Sequence, residues 1–110
     1  MMLRHVDQNV YEKEVSKSDQ PVLLCFVKNT VFQNEIIISI VELSRQFESI
    51  QFCAVKEEEH PFFLEKFHFW GTPIFIFLVK GMEKGRLLGS VTTDRLRAFI
   101  ERHIGELKEP

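Results

Sequence analysis

The sequence predicts an α/β fold with a mixed central sheet of four or five strands and helices on both faces. Three observations lead there. Apolar, strand-like runs alternate with helix-like segments. The earlier runs are continuously apolar, as in strands covered on both sides. The last two are joined by a short glycine-containing turn. The 110 residues suit one domain, residues 1–110.

The elements follow in order. "VDQNVYEKEVSKSD" reads as a short helix carrying Val10, Tyr11 and Val15, after a short strand near Met2 to His5. "QPVLLCFV", Gln20 to Val27, is a central strand opened by a proline. "VFQNEIIISIVELSRQF" places Phe32, Ile36, Ile37, Ile40, Leu43 and Phe47 at helical spacing, with Gln33, Glu42, Arg45 and Gln46 largely on another face. Its isoleucines are weak helix formers, but its length favours helix. "SIQFCAV", Ser49 to Val55, is a second strand. "HPFFLEKFHF" is a helix with Pro61 in its first turn, where a missing N–H costs nothing. "PIFIFLVKG", Pro73 to Gly81, and "GRLLGSV", Gly85 to Val91, form a hairpin through "KGMEKG". "TTDRLRAFIERHI" is a last helix capped by Thr92 or Thr93 and ending before Gly105, with Leu96, Phe99, Ile100 and Ile104 on one stripe. A parallel βαβ half needs a right-handed crossover, and the ββα half adds antiparallel strands.

Composition narrows the function. The chain is 45% hydrophobic and 27% charged, the balance of a globular protein. A net charge of −2 gives no electrostatic case for nucleic acid or an anionic membrane. The N-terminus lacks a signal-peptide pattern, and no run approaches the roughly 18 apolar residues of a membrane span, so a cytoplasmic location is expected. Eleven phenylalanines stand against one Trp and one Tyr, which favours an exposed aromatic patch beyond the core. Cys25 and Cys53 form neither a CxxC pair nor a zinc framework and read as buried thiols. Glu65-x-x-His68 has a ligand-like spacing but reads as a solvated helix face, and "KEEEH" as a solvated loop. His5 and His103 have no evident partner. No nucleophile–base pair stands at useful spacing, and no metal or cofactor is implied.

Three stretches, in this order, resemble thioredoxin: "SKSDQPVLLCFV", "EEEHPFFLEKFHFWGTPIFIFLVKG" and "GRLLGSVTTDRLRAFIERHI". The resemblance spans about Val10 to Ile104 and implies a thioredoxin-like, three-layer α/β/α fold. It implies that Pro73 is a cis-proline and that Thr72 offers backbone groups to an extended substrate chain. It also implies two redox positions at the start of the long helix, where a helix N-terminus activates a thiol. Counted forward from the strand, these are Val31 and Asn34; counted back from Phe47, they are Thr30 and Gln33. Neither pair contains a cysteine. Cys25 stands where the family often has a buried Asp, and Ala54 where it has a Lys. Strand alternation puts Cys25 and Cys53 on opposite faces, against a disulfide.

A groove remains where the chemistry would be, mapped to Thr30–Asn34, Trp70–Pro73 and Gly89–Ser90. Phe32 and Trp70 there either anchor a partner or pack on each other as a plug. Thr30, Asn34 and Glu35 are candidate helix caps. The expectation is a redox-inactive, thioredoxin-like adaptor rather than an enzyme. It would hold a protein or extended peptide on Val31, Phe32, Trp70, Thr72, Pro73 and Gly89. Two alternatives stand beside it: an oxidoreductase using Cys25 or Cys53 alone, and a structural or oligomerising domain with exposed Phe or Ile.

Overall fold

Alternating apolar runs and helices give a five-stranded sheet in a computed structural model that describes residues 3–108. The expected strand start at Met2 lies outside the described residues. Strand β1 (Arg4–Val6) is followed by α1 (Gln8–Lys13), a 3-10 turn (Val15–Lys17) and β2 (Val22–Phe26). Then come α2 (Val31–Gln46), β3 (Gln51–Val55), a 3-10 turn (Glu57–Glu59) and α3 (His60–Phe67). The chain closes with β4 (Ile74–Val79), β5 (Met82–Leu88) and α4 (Thr93–Lys108). The sheet order is β1-β3-β2-β4-β5; β1 and β2 run parallel to β3, while β4 is antiparallel to β2 and β5.

Every residue of β2 is buried, as its unbroken apolar run requires. Leu23 and Cys25 join Ile36, Ile40 and Leu43 of α2 and Leu96 and Ile100 of α4. Val22, Leu24 and Phe26 join Tyr11 of α1 and Phe63 and Phe67 of α3 on the other face. Cys53 belongs to this second cluster, so the two thiols do lie on opposite faces. The register sets Cys25 beside Ala54.

Expected boundaries shift at the hairpin and at the last helix. The hairpin turn is only Lys80-Gly81, and Met82 to Lys84 belong to β5. Both turn residues have positive φ, 52° and 78°, which suits a tight hairpin whose twist matches its strands. Any side chain at Gly81 would also strike the carbonyl of Ser16. The polar residues after the turn look like loop because they sit on a sheet edge open to water. Helix α4 does not stop at Gly105 but runs on to Lys108, because Gly105 keeps helical backbone and merely lowers propensity. One expected core position also changes: Phe32 leaves the apolar stripe and faces solvent, because it sits in the first turn of α2, past the end of β2.

His103, without an evident partner in sequence, is buried under β5. Its ring stacks on Phe77 at 5.3 Å between centroids and meets Phe99 edge-on at 4.6 Å. Glycine at 85 makes this possible, since a Cβ there would overlap the imidazole.

Candidate functional site

The site forms where β2 ends and α2 begins. Thr30 is the N-cap, its hydroxyl oxygen accepting from the Gln33 N–H at 3.1 Å. Asn34 ties back to Asn29 at 3.0 Å, and the Asn29 N–H donates to the Glu57 carboxylate at 3.0 Å. Gln33 reaches furthest. Its Oε1 accepts from the Lys28 N–H at 2.6 Å, and its Nε2 donates to the Thr72 carbonyl at 3.3 Å and hydroxyl at 3.4 Å.

The Thr72–Pro73 bond is cis, as the resemblance implied. The Pro73 carbonyl accepts from the Gly89 N–H at 2.9 Å, and Gly89 turns the chain at φ 100°. Hydrogen bonds therefore join the three segments assigned to the groove. The Thr72 N–H itself makes no hydrogen bond among the described residues.

Val31, Phe32 and Trp70 are 79%, 83% and 92% exposed. Phe32 and Trp70 thus do not plug the groove by packing on each other. They belong to the two segments that the Gln33–Thr72 contact joins, Phe32 directly before Gln33 and Trp70 two residues before Thr72.

Beside Trp70 opens a cleft of about 630 Å³, bounded by α3, the Phe69–Thr72 loop and the end of β2. His60 and Leu64 of α3 line it together with Phe69 and Trp70, and Lys28, Glu57 and Glu65 contribute charged groups. His60 is buried at the start of α3, with Nε2 3.1 Å from the Val55 carbonyl and its ring edge-on to Phe26. Burial pushes its pKa down, so the ring is neutral at pH 7, and Nε2–H donates to Val55. Arg86 of β5 holds the other end of the helix, donating to the carbonyls of Phe67 and His68 at 2.7 and 3.1 Å. His68 there takes the left-handed conformation that ends α3 and starts the Trp70 loop.

The thiols lie apart from this surface. Cys25 is fully buried, and desolvation raises its pKa well above that of a free thiol. Desolvation pushes Cys53 up to about 12, with Arg4 pulling weakly the other way. Neither is poised as a thiolate at neutral pH. No group of three or more His, Cys, Asp or Glu able to hold a metal ion occurs among the described residues.

The sequence points to the exposed residues and places Gln33 at a former redox position, but it shows neither the bridging role of Gln33 nor any role for His60 and Arg86. Gln33 and Arg86 act through backbone partners far away in sequence, which leave no motif. His60 carried one usable signal, its place beside a proline at a helix start.

No protein-family model matches the chain, and no curated protein matches it. Solved structures do. A mutant of poplar thioredoxin h superposes with a TM-score of 0.83 at 20% identity, covering 98% of this chain and 85% of that one. A mutant thioredoxin of Entamoeba histolytica gives a TM-score of 0.78 at 17% identity, covering 91% and 98%. The chain has the thioredoxin fold.

Proposed function

We propose that this thioredoxin-fold chain is a redox-inactive protein-binding domain, which holds an extended segment of a partner at the start of α2 and the cis-Pro73 loop. The observation that carries this reading is the exposure of Val31, Phe32 and Trp70 on the segments that meet at Thr72, whose N–H makes no hydrogen bond among the described residues. Large apolar side chains in water favour a partner that covers them. A backbone donor beside them suits main-chain pairing with an extended chain. Gly89 shapes the third wall. The positions that would carry redox cysteines hold Val31 and Asn34, or Thr30 and Gln33, and none of these exchanges a disulfide. Burial and raised pKa argue equally against a lone-thiol oxidoreductase. No helix among the described residues is long and apolar enough to cross a membrane. Two unpaired buried thiols suit a reducing compartment, and we place the domain in the cytoplasm.

Affinity capture with the wild-type chain and with Phe32→Ala and Trp70→Ala tests the reading. A specific partner should be retained by the wild type and lost by both variants, while stability changes by less than about 0.5 kcal/mol, as for surface sites. A partner held equally by all three proteins would refute the groove.

A further inference from the structure

We propose that the cleft beside Trp70 selects partner segments in which an apolar side chain is flanked by arginine or lysine. This rests on the peptide-binding reading above and adds a specificity to it. The apolar part of the recognition comes from Leu64, Phe69 and Trp70, which all line a cleft of about 630 Å³. That volume falls within the range of roughly 300–1,000 Å³ typical of ligand sites and exceeds the needs of one aliphatic side chain. Thr72 lines the same cleft, so a segment paired to its N–H delivers a neighbouring side chain directly into it.

The charge preference comes from the rim. Glu57 and Glu65 have no cationic side chain within ion-pair distance among the described residues. Glu57 accepts one backbone hydrogen bond, from Asn29, and keeps its charge facing water. Glu58 extends the negative potential along the same 3-10 turn. Among the residues lining the cleft, one Lys or Arg opposes them: Lys28, just after β2. The rim is therefore graded. A partner's basic residue is favoured towards Glu65 on α3 and disfavoured towards Lys28. Exposed charge pairs of this kind contribute modestly and fall with salt.

The site predicts three responses to substitution. Glu65→Gln and Glu57→Gln remove charge without removing the Glu57 acceptor that Asn29 uses, so the fold is preserved. Each should weaken a basic segment about two- to fivefold. Lys28→Ala should tighten the same segment by a comparable factor.

A random-peptide display selection on the immobilised chain, followed by calorimetric titration of the selected peptides, is the deciding experiment. The expected result is enrichment of motifs with an apolar residue and Arg or Lys within two positions. Their affinity should fall in Glu65→Gln, rise in Lys28→Ala and decrease with added salt. Enriched apolar motifs without basic residues, or basic motifs indifferent to both substitutions, would overturn the cleft's charge selection and leave the groove reading standing. No enrichment at all on the wild type would overturn both.

Discussion

The side chain of Gln33 is held between two backbones, accepting from Lys28 after β2 and donating to Thr72 before the cis-proline. Thr72 is 39 positions further along the chain, so one amide ties the end of β2 to the cis-Pro73 loop. The amide also occupies the Thr72 carbonyl, while the Thr72 N–H makes no hydrogen bond among the described residues.

Gln33→Ala removes all three hydrogen bonds. The groups are only partly buried, and water replaces some of them, so the cost should be about 1 kcal/mol. Urea unfolding measures it. Partner affinity should fall as well, because the Thr72 loop loses its tether. Unchanged stability together with unchanged affinity would show that the clamp does not shape the groove.

Cys25 and Cys53 should be inert in the folded protein. With its pKa pushed up to about 12, roughly one part in ten thousand of Cys53 is thiolate at pH 8. Alkylation followed by mass spectrometry should label neither residue until denaturant unfolds the chain, and insulin reduction with a reductase and NADPH should show no turnover. Rapid labelling of either thiol under native conditions would contradict this.

His60 gives the stability a pH dependence of definite sign. Burial is the largest influence and lowers its pKa below 6.5, while the hydrogen bond to Val55 opposes the shift. Between the lowered folded value and 6.5, the unfolded chain binds the extra proton and the folded chain does not. Stability is therefore complete above about pH 6.5 and falls as pH drops below it, by at most about 1.4 kcal/mol per pH unit. His60→Gln keeps a donor for Val55 and removes the titration. Denaturation curves from pH 7 to pH 5 should be flatter for this variant, and equal slopes would exclude His60 as the source.

Gly85 and His103 form a coupled pair. Gly85→Ala drives a methyl group into the imidazole, and such overpacking costs about 1–3 kcal/mol. His103→Ala removes the stacked ring from Phe77 and Phe99 and opens the space. In the double variant the two losses should be clearly less than additive in thermal unfolding. Additive losses would mean that the close approach carries no strain.

Much of the architecture is legible in residue order, because burial on two faces forces continuous apolar runs. Val22–Phe26 and Ile74–Val79 can hardly be anything but interior strands. Strand β5 is legible only in its second half. At a sheet edge one side of the strand meets water, so Glu83 and Lys84 carry no apolar signal. The eleven phenylalanines divide as the composition suggests, seven entering the two cores and Phe32 remaining exposed. The candidate site was half legible. Its loops could be placed because the resemblance to thioredoxin assigns the Gly-Thr-Pro stretch and the start of the long helix to the groove. The cleft could not, because it depends on how α3 leans against the Trp70 loop, and Arg86 fixes that geometry from another strand.

The chain's one tyrosine and one tryptophan sit at opposite extremes, Tyr11 2% exposed within the aromatic core and Trp70 92% exposed beside the cleft. Trp70 already has nearly the solvation of an unfolded residue, so its emission should barely change when the protein melts, whereas the near-UV circular dichroism of the rigidly packed Tyr11 should collapse. A partner that dries Trp70 should do the reverse. The molecule thus carries two separate optical channels, one that reads folding and one that reads occupancy.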